Sequence, residues 1–109
     1  MKDHRLIDER SLAFHRAVAE KLRAQPARLG QAKANLERWA AGASPRVRPV
    51  FAEWHSLLDG PFDRLLAILT ADEPRATRLR QSSPFAGLLA ASERFAILRE
   101  FQAHDPLAA

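Results

Sequence analysis

The 109-residue chain lacks cysteine and tyrosine and contains only four glycines and one methionine. Without thiols it can form neither disulfides nor thiolate-bound zinc or iron–sulfur sites, which predicts a protein of the reducing cytoplasm. No apolar run approaches the roughly 20 residues of a membrane span, and the charged opening MKDHRLIDER is unlike a signal peptide. The glycines do not cluster, so no phosphate-binding loop and no cofactor are expected.

Residues that favour β-strands are scarce, whereas alanine, leucine and arginine, which favour helices, are abundant. Hydrophobic residues make up 47% of the chain and charged residues 28%, a balance typical of a folded globular protein. The length fits one domain covering residues 1–109. The sequence therefore predicts a single compact all-α domain of five or six short helices.

Proline, glycine and the spacing of apolar residues predict where the helices begin and end. The predicted helices run from Leu6 or Ser11 to Ala24, from Pro26 to Gly42, from Pro49 to Leu58, from Phe62 to Leu69, from Glu73 to Gln81, and from Ser92 to Ala103. A short segment, Phe85–Leu89, follows the pair Ser83-Pro84, and Pro106 is expected to stop the last helix. Trp39 and Trp54 fall on apolar stripes, which predicts that both lie in the core.

Catalytic and metal-binding patterns are weak. The four histidines are scattered, and neither they nor the carboxylates have the spacing of metal ligands. Asp8, Ser11 and His15 stack on one helix face and imitate a catalytic triad. Nothing nearby in sequence could bury the acid or form an oxyanion hole, so we interpret them as a solvated polar face. The chain is not expected to be an enzyme.

One stretch of the sequence is cationic without compensating acids. The 19 residues from Pro74 to Ser92 include no Asp or Glu. Its candidate partner-binding residues are Arg75, Arg78, Arg80 and Gln81. Arginine pairs well with carboxylates and phosphates, which makes this stretch a candidate contact surface. The alternative is an ordinary solvated helix face followed by a loop.

The same region also permits a DNA-binding interpretation. Phe62–Leu69, a break at residues 70–73 and Pro74–Gln81 have roughly the lengths of a helix-turn-helix. Arg and Gln on the second helix are competent base readers. Against this, the break lacks glycine, and a net charge of +4 is modest for a dedicated DNA binder.

The C-terminal part resembles a group of short helical bacterial proteins. The resemblance rests on an Arg-Gln-x-Ser-Pro-Phe-Ala-Gly core, here Arg80-Gln81-Ser82-Ser83-Pro84-Phe85-Ala86-Gly87, followed by the pair Glu93-Arg94 and the aromatic Phe95. Two further stretches are similar to the same group: Leu12 to Arg23, and Leu36-Glu37-Arg38-Trp39. Where that group has a capping pair after the position of Leu89, this chain has Ala90-Ala91, which moves the expected cap to Ser92.

Some members of this group are encoded beside nucleotidyltransferase-like toxins, so the resemblance implies an antitoxin. It predicts a non-catalytic module that binds a toxin protein encoded next to it, and DNA remains a possible second partner. A structural homodimer is a further alternative, based on apolar surface around Phe51, Phe62 and Phe101. The motif itself suggests structural roles: a Ser83 cap, a turn at Pro84, Phe85 in the core and a close approach at Gly87.

Overall fold

The computed structural model describes the backbone of residues 2–104 and the side chains of residues 5–102. Within these residues the chain forms six α-helices and one 3-10 turn, with no strand. The helices are α1 (Lys2–Ala24), α2 (Leu29–Ala41), α3 (Arg48–Asp59), α4 (Phe62–Thr70), α5 (Pro74–Arg80) and α6 (Ala91–His104), and the 3-10 turn is Pro26–Arg28. The predicted all-α class is confirmed.

Proline sets most of the helix boundaries, as the sequence predicts. Pro26 begins the turn between α1 and α2, and Pro74 is the first residue of α5. Proline suits these positions because the first amides of a helix have no partner within the helix. The predicted stop at Pro106 lies outside the described residues.

Two predicted helix starts differ from the structure. Helix α1 begins at Lys2 rather than at Leu6 or Ser11, since nothing in MKDHRLIDER breaks a helix. The short segment Phe85–Leu89 forms turns and bends. Helix α6 begins at Ala91, where the Glu93 carboxylate accepts the Ala90 amide at 2.7 Å and so supplies the cap expected from Ser92.

The core lies where the first five helices and the segment after α5 meet. The largest buried side chain is Trp54, which is fully buried and donates its indole N–H to the Leu79 carbonyl at 2.9 Å. The Phe85 ring stands edge-on to it at 5.6 Å. The core position predicted for Trp54 is confirmed, whereas Trp39 lies partly exposed on α2, outside the core cluster.

Helix α6 is the least integrated element. It runs antiparallel along α1, because Lys21 near the end of α1 contacts Glu93 near the start of α6, at 2.7 Å. At the other end, Leu6 and Phe101 line the same cavity. No described side chain of α6 is fully buried. The helix is therefore a layer on α1 rather than part of the core.

Candidate partner-binding site

The structure separates the four predicted partner-binding residues. Arg75 and Arg78 lie on the exposed side of α5, and Gln81 is exposed just after it. Arg80 is only 4% exposed. Arg78 and Arg80 are two residues apart, or about 200° around a helix, so their side chains leave on opposite sides.

Arg75 and Arg78 share one carboxylate. Arg78 approaches Glu53 of α3 through two nitrogens, Nη1 to Oε1 at 3.2 Å and Nη2 to Oε2 at 3.4 Å. Arg75 Nη2 lies 3.5 Å from Glu53 Oε2. The cationic stretch, free of acids in the sequence, is thus partly neutralised by an acid from another helix.

A small cavity adjoins this contact and brings in a third arginine. Its volume is about 280 Å³, and it is lined by Glu53, Ser56, Leu57, Gly60, Pro61, Arg64 and Arg75. We call Arg64, Arg75 and Arg78 the arginine cluster. With Glu53 the cluster carries a net charge of +2 and remains open to solvent. Such a site suits a carboxylate or phosphate from a partner.

Arg80 has a structural role inside the protein. Its Nη1 donates to the carbonyls of Ile68, at 3.1 Å, and Ala71, at 2.6 Å, at the C-terminal end of α4. A cation at this end stabilises the helix dipole and satisfies carbonyls that lack a partner within the helix. Burial lowers the pKa of Arg80 below its ordinary value. Its predicted place on an exposed binding surface is therefore wrong.

Residues 83–87 of the Arg-Gln-x-Ser-Pro-Phe-Ala-Gly motif form hydrogen bonds with α1 and α2. Asn35 of α2 is buried, and its amide donates to the carbonyls of Pro84 and Ala86, each at 2.9 Å. Gly87 has φ +83°, and a Cβ there would lie 2.8 Å from Gln31 Nε2. The glycine is needed because few other residues adopt this backbone conformation.

His15 completes this connection from α1. Its Nδ1–H donates to the Ser11 carbonyl at 2.7 Å, and its Nε2 accepts from the Ser83 hydroxyl at 2.7 Å. The side chain is buried, and burial lowers the pKa of His15 to about 4. The predicted place of His15 on a solvated polar face is therefore wrong. His15 is a buried, neutral side chain that accepts a hydrogen bond from Ser83 of the motif.

A serine hydroxyl beside a histidine nitrogen also fits the start of a nucleophilic mechanism. The pair lines a cavity of about 260 Å³ with Phe14, Phe85 and Arg94. However, the amide of Phe85 donates to Ser83 Oγ itself, at 3.3 Å, instead of pointing at a site for a substrate oxyanion. The hydrogen bonds of this pair are those of a structural link.

The described residues form neither a metal-binding cluster nor a membrane-spanning helix. Side chains 5–102 contain no group of three or more His, Asp or Glu placed to hold a metal ion. Among the helices between residues 2 and 104, none is both long and apolar enough to cross a membrane. The arginine cluster is accordingly the strongest candidate site in this part of the chain.

Comparison with known proteins identifies no relative. No protein-family model, no curated protein and no solved structure matches this chain. The candidate site therefore rests on the geometry described above.

Sequence reasoning missed two members of the site, Glu53 and Arg64. Both lie on helices before α5, where charged residues are few and mostly widely spaced along the sequence. Only the packing of the helices brings Glu53 to Arg78, 25 residues later. The helical spacing of the stretch, by contrast, could have separated Arg80 from Arg75 and Arg78.

Proposed function

We propose that this chain is a non-catalytic protein-binding module of the cytoplasm, and that its arginine cluster receives an acidic surface of a protein partner. The observation that carries the proposal is the contact of Arg75 and Arg78 with the single carboxylate of Glu53. Two guanidinium groups already converge on one carboxylate, and both remain about half exposed. A second carboxylate from a partner would complete the pairing.

The resemblance of residues 78–99 to antitoxin-like proteins suggests what the partner is. We propose a nucleotidyltransferase-type toxin encoded beside this chain. Enzymes that transfer phosphoryl groups gather carboxylates around metal ions and nucleotide phosphates. Arginines presented to such a cleft would pair with those carboxylates and keep nucleotide out.

Co-expression with the product of the adjacent gene tests this proposal. We expect a stable complex that Arg75→Ala/Arg78→Ala weakens at least tenfold, since arginines at interfaces often carry much of the binding energy. The matched control is Arg5→Ala/Arg23→Ala, which removes two exposed arginines that pair with Glu9 and Glu20 on their own helix. Absence of any complex at micromolar concentrations would refute the antitoxin proposal.

DNA binding is the second candidate, favoured by one observation. Helix α4 of nine residues, a break of three residues and α5 of seven residues are close to the lengths expected of a helix-turn-helix. Glu53 lies against the side chains that would enter a groove, which opposes contact with phosphates. A mobility-shift assay with the chain's own promoter at two salt concentrations decides, because binding through phosphates weakens steeply with salt.

A further inference from the structure

Both parts of the sequence motif border one cavity that the proposed function does not use. This cavity has a volume of about 260 Å³ and lies between α1, the segment after α5 and the start of α6. Its lining includes four residues of the Arg-Gln-x-Ser-Pro-Phe-Ala-Gly core, namely Ser83, Phe85, Ala86 and Gly87. Arg94, from the Glu-Arg pair that follows the core, lines it as well. We call this space the motif cavity.

The walls of the motif cavity are mainly apolar. Helix α1 contributes Phe14 and Val18, and the segment after α5 contributes Phe85 and Leu89. Val18, Phe85 and Leu89 belong to the core and are only 3%, 5% and 7% exposed. Close packing on their other sides holds these walls in place. A ligand that fits this cavity therefore needs an apolar body.

The two uncharged polar side chains of the cavity are paired with each other. His15 accepts the Ser83 hydroxyl at 2.7 Å, and burial lowers the pKa of His15 to about 4, so its ring is neutral at pH 7. The Ser83 oxygen in turn accepts the amide of Phe85. This pair therefore brings no charge into the cavity and needs no hydrogen bond from a ligand.

Arg94 supplies the charge of the motif cavity. It is the one charged side chain among the described residues that line this space. Its side chain is exposed and takes part in none of the ion pairs formed by side chains 5–102. The neighbouring carboxylate of Glu93 is engaged elsewhere, because it accepts both Lys21 Nζ and the Ala90 amide at 2.7 Å. The Arg94 guanidinium is thus available to an anion at the cavity.

The volume of the cavity and its single cation limit the class of ligand. An apolar cavity of about 150 Å³ holds benzene, which has six non-hydrogen atoms. By the same ratio, about 260 Å³ holds roughly ten such atoms. One guanidinium calls for one anionic group, and a carboxylate matches its fork of N–H donors. An aliphatic monocarboxylate of about eight carbons, such as octanoate, meets both limits.

We propose that the motif cavity binds a small amphipathic carboxylate, whose apolar tail lies against Val18 and Phe85 and whose carboxylate pairs with Arg94. The cavity shares no lining residue with the one beside the arginine cluster, so its occupation does not depend on the partner proposed above. Such a ligand contacts α1, the segment after α5 and α6 together. It would therefore stabilise the folded chain, since the unfolded chain offers no equivalent site.

Titration of the full chain with sodium octanoate tests this proposal. We expect saturable binding with a dissociation constant below about 1 mM, and a thermal midpoint that rises as octanoate is added. In NMR spectra the methyl signals of Val18 and Leu89 should shift along the same saturation curve, because both side chains line the cavity. Sodium acetate, which has the carboxylate without the tail, should produce neither effect at the same concentrations.

Two exposed positions of the lining permit variants that leave the core side chains unchanged. Ala86→Leu places a larger side chain at the cavity and should weaken octanoate binding at least tenfold. Arg94→Gln removes the charge and should weaken binding about threefold, within the range of an exposed ion pair. Arg99→Gln is the matched control, because Arg99 is an exposed arginine of the same helix that does not line the cavity.

Three results would overturn the proposal. The first is a wild-type chain that shows no saturable binding up to about 10 mM octanoate. The second is binding that Ala86→Leu leaves unchanged, because octanoate then binds elsewhere on the chain. The third is an Arg94→Gln variant that binds octanoate as tightly as the wild type does, which would show that the cavity does not recognise the carboxylate.

Discussion

The Nε2 atom of His15 lies 2.7 Å from the hydroxyl of Ser83, although 68 residues separate them in the sequence. The same hydroxyl accepts the amide of Phe85 at 3.3 Å. One small side chain thus connects the first helix, the turn after α5 and the aromatic residue that enters the core.

Loss of this hydroxyl should destabilise the fold. Ser83→Ala leaves the buried Nε2 of His15 without a donor, and an unsatisfied buried acceptor costs about 1–3 kcal/mol. We expect the free energy of unfolding in urea to fall by that amount. Ser82→Ala, a neighbouring change with no such partner to lose, should alter it by less than about 0.5 kcal/mol.

Stability should also depend on pH through His15. Its pKa is about 4 in the folded protein against 6.5 as the ordinary value, so between these values the unfolded chain binds more protons. The free energy of unfolding therefore rises by roughly 2–3 kcal/mol as the pH increases from 4 to 6.5. It falls by the same amount as the pH decreases through this window. Urea unfolding at pH 7 and pH 4.5 measures the change. In His15→Gln the dependence should flatten, and a flat wild-type profile would contradict the assignment.

Substitution of the two arginines at the end of α5 should reduce stability to very different extents. Arg80→Met removes the donor from the buried carbonyls at the end of α4, and we expect about 2–4 kcal/mol of lost stability. Arg78→Ala should cost less than about 1 kcal/mol, because an exposed ion pair contributes little. Thermal and urea unfolding of the two variants compare them directly. Equal losses would show that Arg80 is not the internal cap described above.

Phe85 should be among the most sensitive core positions. Its ring is 5% exposed and lies edge-on to both Trp54 and His15, with centroid distances of 5.6 and 6.2 Å. Phe85→Ala should cost about 3–5 kcal/mol, a large share of the stability of a domain of this size. Phe95→Ala, which truncates an exposed ring, should cost far less in dilute solution. Chemical denaturation of both variants measures the difference.

Helix content and most boundaries could be predicted, because they depend on local features such as Pro26, Gly42 and Pro74. The core position of Trp54 followed from spacing on a single helix. The same kind of spacing wrongly placed Trp39 in the core, because its apolar neighbours on α2 do not show how much of the ring another helix covers. Contacts between distant segments, such as Glu53 with Arg78, depend on how helices pack.

The motif at residues 80–87 also makes contacts that could not be predicted from the sequence. Its structural interpretation followed from residue types: a small polar cap, a proline, an aromatic and a glycine. The residue types did not indicate the hydrogen-bond partners of the motif, which are His15 for Ser83 and Asn35 for Pro84, both from the first part of the chain. Arg80 was misassigned because an arginine in an acid-free stretch indicates exposure, whereas here backbone carbonyls compensate for its burial.

The long separation between the buried polar groups and their partners affects how the protein is made. Ser83 follows His15 by 68 residues, and Pro84 follows Asn35 by 49, so α1 and α2 are synthesised well before either polar side chain can be satisfied. A nascent chain that has not reached this segment keeps its first helices incompletely packed. The same holds for a product truncated before Ser83. Folding is thereby coupled to synthesis of the segment after α5, and a stop before Ser83 should yield a chain that cellular proteases remove.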